Sequence, residues 1–297
     1  MEFRPPRFPG AYLGAGIALV GIVLAALLGY RLTVTPVSFV SFIVGVVALL
    51  CLVVAYVFLF WSYACWTLRY TITEHHLAIQ WANNRQLVPL GIIKDVVLGK
   101  DVPVTASPEG VNWFGHHVGR ANLAGVGETL FYVTRRAPGE IVYVVTPELS
   151  YAVSPSDGSR FVEAIQEARE KGPPAALSPR TYRWPILSLP FWQDRPVLVL
   201  AAAVILLNAA LFAYVTYVYP TLPTLLPLRY TIAGTVERVG LRSEVFGFPL
   251  AALAILLANL IIGFLGHAKE RFLTCLLYGS ALIAQGVFWA IAVSILR

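Results

Sequence analysis

The chain has 297 residues, of which 58% are hydrophobic and only 13% charged, with a mean hydropathy of +0.71 and a formal net charge of +6. That apolar excess rules out a single soluble core and calls for a bilayer to take up the surplus. Cys51, Cys65 and Cys275 all fall in or beside apolar runs, which argues against a disulfide framework and against a thiolate metal site. Residues 69 to 195 hold 13 Lys and Arg against 12 Asp and Glu, so the basic surplus lies in tails and connections, where it suits anionic head groups rather than nucleic acid.

Arg4 and Arg7 precede an apolar run over 11–30 that is about 30 Å long as a helix, enough to cross the hydrocarbon core. It is longer than the core of a cleaved signal peptide and reads as a retained signal anchor. Gly10 and Gly14 stand at the spacing that lets helices approach closely, with Gly21 further along. Thr35-Pro36 opens a second span over 36–66. At roughly 30 residues it exceeds the membrane thickness and must tilt or project. Its last turns carry Trp61, Tyr63 and Trp66, followed by Arg69, a combination that favours the head-group layer.

The period then changes. Residues 69–73 and 77–81 read as strands around a turn at Glu74-His75-His76, and further strands are expected at 86–90, 92–98, 121–126, 129–134, 141–146 and 151–153. A second hairpin turn falls at Ala82-Asn83-Asn84-Arg85, and the aperiodic, proline- and glycine-bearing stretch over 100–119 is expected to be loop. Ser154 is the expected cap of a following helix, with Pro155 in its first turn and Asp157 placing negative charge at the positive end of the helix dipole. Phe161, Val162, Ile165 and Ala168 form that helix's apolar stripe.

Between Arg180 and Arg195 bases alternate with aromatics, including Tyr182, Arg183, Trp184, Phe191 and Trp192. Beside a membrane span this reads as an interfacial anchor, and Arg183, Trp184, Trp192 and Arg195 are its expected contacts. Three more spans follow at 196–218, 246–266 and 272–296, the last two forming a tight antiparallel pair. The domain plan is therefore a membrane hairpin over 1–68, a β-rich insert over 69–172, an interfacial linker over 173–195 and a three-helix membrane region over 196–297. With the N-terminus inside, the near-membrane bases on that side are Arg4, Arg7, Arg69, Arg180, Arg183, Arg195, Lys269 and Arg271, against Arg31, Arg229, Arg238, Arg242 and Arg297 opposite. Eight against five places the N-terminus and the insert in the cytoplasm and the C-terminus outside the cell membrane.

The insert resembles a bacterial pleckstrin-homology-like domain. The likeness rests on Tyr70-Thr-Ile-Thr, on Val88-Pro-Leu90 followed by Ile92 or Ile93, on the Gly119 entry to a second sheet, and on Tyr151-Ala-Val-Ser-Pro-Ser-Asp157 leading to Phe161. It implies a partly open small barrel of about seven strands closed by a C-terminal helix, and together with the apolar runs this makes an α+β membrane protein with the barrel inserted between the second and third of five transmembrane helices. Leu222-Pro-Thr-Leu-Leu-Pro227, Gly234, Arg238, Gly240 and Phe248-Pro249 resemble an uncharacterised membrane-protein family, with Arg229-Tyr230 where that family has a histidine. Neither likeness carries a catalytic residue. The Glu74-His75-His76 turn contains none of the bases with which eukaryotic relatives hold phosphoinositides.

No phosphate-binding glycine loop, nucleophile elbow or HExxH occurs, so no reaction and no cofactor are expected. His75-His76 and His116-His117 lack carboxylates or thiolates at ligand spacing, and no metal site is expected. Asn208, Asn259 and Gln285 are polar amides within the last three spans, where interhelical hydrogen bonds of about 0.5–1 kcal/mol each are their ordinary role. Two readings follow. One is a cytosolic module that binds a protein partner or a second copy of the chain. The other is a transporter or permease with the three amides around a mid-membrane cavity and the insert as a regulatory lobe.

Overall fold

The computed structural model describes residues 1–6, 9–102, 109–135, 137–171, 180–182, 189–230 and 236–296. Two compact units emerge, one of Met1–Val23 with Cys51–Trp184, the other of Leu24–Leu50 with Pro185–Arg297. Among the described residues, five helices are long and apolar enough to cross a membrane, over Gly10–Val34, Phe39–Thr67, Arg195–Thr221, Arg242–Gly266 and Arg271–Leu296.

The first unit holds a β-rich body together with the Pro9–Val23 part of helix α1 (Pro9–Val34) and the Cys51–Thr67 part of helix α2 (Phe39–Thr67). Gly14 and Gly21 of α1 lie against α2: a Cβ on Gly14 would stand 2.6 Å from Ser62 Oγ, and one on Gly21 would stand 3.0 Å from the Cys51 carbonyl oxygen. Gly10 faces elsewhere, toward the backbone of Phe114. The small-residue spacing thus serves two different contacts.

The body comprises β1 (Glu2–Phe3), β2 (Arg69–Ile72), β3 (His76–Trp81), β4 (Asn84–Pro89), β5 (Asp95–Leu98), β6 (Glu109–Trp113), β7 (His116–Leu123), β8 (Gly127–Val133), β9 (Val142–Val145), β10 (Ser150–Val153), α3 (Gly158–Lys171) and β11 (Arg180–Tyr182). One sheet runs β1-β2-β3-β4-β11 and the other β5-β9-β10-β8-β7-β6, with β10 and β8 parallel. Among the described residues no strand pairing joins the two sheets, so the partly open barrel implied by the resemblance is an unclosed pair of sheets with eleven strands. Three of these lie beyond the eight segments read as strands from the sequence. Residues 2–3 and 180–182 extend the first sheet from outside the insert, pairing with β2 and β4. The third, β6, lies in the stretch expected to be loop. Gly110 and Gly119 make it possible: a Cβ on either would come within 2.4–2.5 Å of a carbonyl oxygen across the pair, so only glycine permits this backbone approach.

The core between the sheets includes Tyr70, Leu77, Ile79, Val88, Val144 and Val153, and is closed by Phe161, Ala164 and Ile165 of α3. Alternation along β2, with Tyr70 and Ile72 inward, is what period-2 geometry dictates. Tyr70 is fully buried; its hydroxyl donates to the Tyr132 carbonyl at 2.7 Å and accepts from the Ser154 backbone N–H at 3.2 Å. Gln86 Nε2 donates to the Tyr151 hydroxyl at 2.8 Å. These side chains fasten sheet to sheet where no strand ladder does.

In the second unit, α4 (Arg195–Val218), α5 (Gly247–Gly266) and α6 (Arg271–Leu296) form a bundle. Between α4 and α5, the paired strands β12 (Leu225–Tyr230) and β13 (Val236–Leu241) form a ribbon. Gly234, one of the residues carrying the second family likeness, lies outside the described residues. Gly263 admits the Tyr278 ring, since a Cβ there would lie 2.4 Å from it. Thr274 Oγ1 donates to the Gly263 carbonyl at 2.9 Å, and Trp289 Nε1 to the Leu207 carbonyl at 3.0 Å.

Candidate functional site

A cluster of polar and aromatic side chains lies where the β6–β7 hairpin meets α1 and α2. Trp113 packs against Phe58 and Trp61 of α2, with ring centroids 4.9 Å and 5.7 Å apart. Gly115 offers its carbonyl to Cys65 Sγ at 3.4 Å. Phe114, at the hairpin tip, is 60% exposed. Tyr12 of α1 meets Trp66 of α2 edge-on at 6.2 Å.

Two neighbouring cavities open here. The first, of about 540 Å³, is walled by Asn112, Trp113, Phe114, His117, Thr134, Arg135 and Glu140. The second, of about 420 Å³, shares Gly115 and Thr134 with it and is also bordered by Arg4, Tyr12, Cys65 and Trp66. Arg135 is ion-paired to Glu140 through Nη1, while its buried Nε has no hydrogen-bond partner among the described residues. The same holds for the buried Trp113 indole N–H. Arg4 pairs with Glu2 at 2.8 Å, both side chains substantially exposed, which lowers the Glu2 carboxyl pKa chiefly through the hydrogen bond from Arg4.

The residues expected to anchor the protein at an interface are distributed as follows. Trp61 lies in the aromatic cluster just described, and Trp66 is 54% exposed against Tyr12. The Tyr63 hydroxyl donates to Asn83 Oδ1 at 3.1 Å, and Arg69 Nε donates to Gln80 Oε1 at 2.9 Å. Trp192 is 48% exposed and meets Phe191 and Phe264 edge-on, and Arg195 opens α4. Arg183 and Trp184 lie outside the described residues.

Ser154 does not cap α3. Its hydroxyl is wholly buried and accepts instead from the Thr134 backbone N–H at 3.0 Å, because the chain is still leaving β10 at that point. Asp157 occupies the capping position, its Oδ1 accepting from the Arg160 N–H at 3.0 Å.

The three amides of the last three apolar helices make different contacts. Asn208 Nδ2 donates to Gln285 Oε1 at 3.2 Å and lies 3.3 Å from the Pro249 carbonyl, while Gln285 Nε2 donates to the Ala252 carbonyl at 3.0 Å. Together they tie α4, α5 and α6. Asn259 Nδ2 donates to the Ile255 carbonyl one turn back on its own helix, and its Oδ1 accepts from the Ser280 hydroxyl of α6 at 3.5 Å. The histidine pairs also diverge in role. His76 Nδ1 lies 3.1 Å from the Thr73 hydroxyl, and His117 bonds Asn112 across β6–β7. Among the described residues no three His, Cys, Asp or Glu side chains form a metal-binding group.

At the base of the second unit, Asp194 has a side chain only 10% exposed, ion-paired to Arg271, with His267 Nε2 at 3.7 Å. The hydrogen bond from Arg271 is the main reason the Asp194 carboxyl sits below its ordinary pKa. His267 is 7% exposed and packs edge-on against Phe191.

Fold and site define a chain of long apolar helices that carries a β-rich domain closed by one helix. Residues 68–169 match the protein-family model described as Bacterial PH domain, which places a PH-like domain between the second and third of the five apolar helices. Searches of curated proteins and of solved structures each returned no significant match. Sequence reasoning did not single out Trp113, Phe114 and Arg135. The available signal was an adjacent pair of large aromatics flanked by Asn112 and Gly115, within a stretch otherwise read as loop.

Proposed function

We propose that this is a multi-pass protein of the cell membrane that displays its PH-like domain in the cytoplasm as a module for binding a protein partner or a second copy, and that it catalyses no reaction. The observation that supports this best is the end of the six-stranded sheet. There, among the described residues, β6 pairs with β7 alone and its residues are exposed or half-buried, an edge suited to accepting another strand. Pairing of residues 2–3 with β2 favours a common side for the N-terminal segment and the domain, in keeping with the excess of bases counted there.

The test is light scattering of the full chain in mild detergent, combined with cross-linking from a cysteine placed at Val111 in a background without the native cysteines. A ladder of dimers, or one discrete cross-linked partner, is expected. A monomer that cross-links to nothing in intact membranes counts against the proposal. Labelling of an introduced Glu167→Cys by a reagent confined to the cell exterior counts against the cytoplasmic placement. Transport by the helices gains no comparable support, because Asn208 and Gln285 are engaged with each other.

A further inference from the structure

We propose that the outward face of the β12–β13 ribbon is seated in the surface layer of the bilayer, so that the connection between α4 and α5 is a lipid-contacting hairpin rather than a loop in water. The inference rests on the reading that the apolar helices cross a membrane, and asks nothing of the PH-like domain.

Strand register decides which side chains share a face. Leu225 stands opposite Leu241 and Pro227 opposite Val239, which puts all four on one side, while Leu226 and the facing Gly240 fall on the other. The second side is already covered: Leu226 is buried in a cluster with Leu211 and Val215 of α4 and Ala292 of α6, and Gly240 is buried too. The first side is bare, with Leu225, Val239 and Leu241 exposed by 60%, 55% and 53%. An antiparallel ribbon with one face on a core and the other in water carries polar residues on its outer face. Here the outer face is apolar at its root and calls for an apolar neighbour.

Placement along the ribbon identifies that neighbour. The apolar segment Arg195–Thr221 ends shortly before Leu225, and the next, Arg242–Gly266, opens directly after Leu241, so Leu225 and Leu241 form the pair nearest both helices. At the same level the Arg242 guanidinium lies over the Tyr219 ring at 5.0 Å, a base and an aromatic of the kinds that collect among lipid head groups. Exposed apolar side chains run on in chain order from Tyr217 in the last turn of α4, through Leu225 and Leu241, to Leu250 in the first turn of α5. Continuing by twos along β13, Leu241 and Val239 are followed by Glu237, roughly 13 Å from Leu241 and beyond the point where the register slips. Arg238 is ion-paired to Glu244 at 2.7 Å. A bilayer imposes this order, apolar beside the spans and charged away from them. A second copy or a soluble partner has no reason to grade its contacts by distance from the helices.

The experiment is spin labelling of the full chain, stripped of its native cysteines and reconstituted in phosphatidylcholine vesicles, with Leu225→Cys, Val239→Cys, Leu241→Cys, Glu237→Cys and Leu206→Cys made one at a time. Collision with oxygen, which concentrates in lipid, is compared with collision with a water-soluble nickel chelate. Labels at Leu225 and Leu241 should meet oxygen several-fold more often than nickel, the label at Val239 should lie between, and the label at Glu237 should favour nickel. All of these ribbon positions are exposed, so the labels displace no buried side chain. Leu206, midway along α4 and 68% exposed, reports on the bilayer itself. Oxygen preference at Leu206 combined with nickel preference at Leu225 and Leu241 would overturn this inference and leave the membrane reading standing. Nickel preference at Leu206 would overturn both. Weak collision with either reagent at Leu225 and Leu241, with dipolar broadening between labels, would identify a second copy on the face and overturn the lipid assignment.

Discussion

Replacing Asn208 and Gln285 by leucine, singly and together, tests whether the two amides hold the helical bundle together or stand ready for a solute. Gln285 is completely buried and Asn208 nearly so, and each makes a bond to the other and one to an α5 carbonyl. A hydrogen bond between membrane helices contributes about 0.6 kcal/mol on average and up to about 1.7. Each single variant loses the shared bond and one carbonyl bond, so a cost of about 1–2 kcal/mol is expected. The double variant loses the shared bond only once, and should cost less than the sum of the singles by about 0.5–1 kcal/mol. Full-length protein in mixed micelles, titrated with a denaturing detergent and followed by pulse labelling of Cys275 in α6, reads the local opening free energy. Strict additivity within about 0.3 kcal/mol would mean that the bond contributes nothing, and the structural account of these amides would fail. Unchanged opening together with lost solute flux would turn the argument toward transport.

Other consequences are equally direct. Gly10→Ala and Gly14→Ala should both lower thermal stability, because the new Cβ atoms would lie 1.7 Å from the Phe114 carbonyl oxygen and 2.6 Å from Ser62 Oγ; Gly16→Ala and Gly29→Ala, with nothing within 4 Å, should not. Tyr70→Phe strips a buried carbonyl and a buried N–H of their partner and should cost about 2 kcal/mol in denaturant unfolding of the domain, with the opposite finding, a neutral substitution, refuting the sheet-to-sheet fastening. Burial pushes the Tyr70 phenol up to about 12 from an ordinary value near 10. The unfolded chain therefore releases that proton first, so stability falls as pH rises from about 10 toward 12, and Tyr70→Phe should flatten that slope in melts recorded across the range. Pairing with Arg271 holds the Asp194 carboxyl below its ordinary value of 3.8, so its contribution is complete above that pH and is lost as pH falls through the depressed value. Asp194→Asn should remove that acid-side dependence from the thermal unfolding of the helical bundle.

The hydropathy pattern, the change of period at Arg69 and the aromatic clusters at span ends were enough to place five apolar helices around a β-rich insert and to mark α3. These features are local: a run of apolar residues or an alternation reports which solvent each face of one element meets. The small-residue positions in α1 were legible as well, although not their partners. Gly10 approaches a residue more than one hundred positions away in the chain, and no spacing rule carries that distance.

Tertiary structure alone decided the pairings between remote segments. Residues 2–3 and 180–182 become strands because β2 and β4 present open edges to them, not because so short a stretch has a strand pattern of its own. Ser154 looked like a helix cap because its neighbours favour one, but the nearest unsatisfied donor in space was the Thr134 N–H across the sheet. Trp113 and Arg135 come to line one cavity only when β6, β8 and their turns are in register. Chain composition reports how each residue relates to water and lipid, whereas a binding cavity depends on which distant donors and acceptors are left over once every strand has found its neighbour.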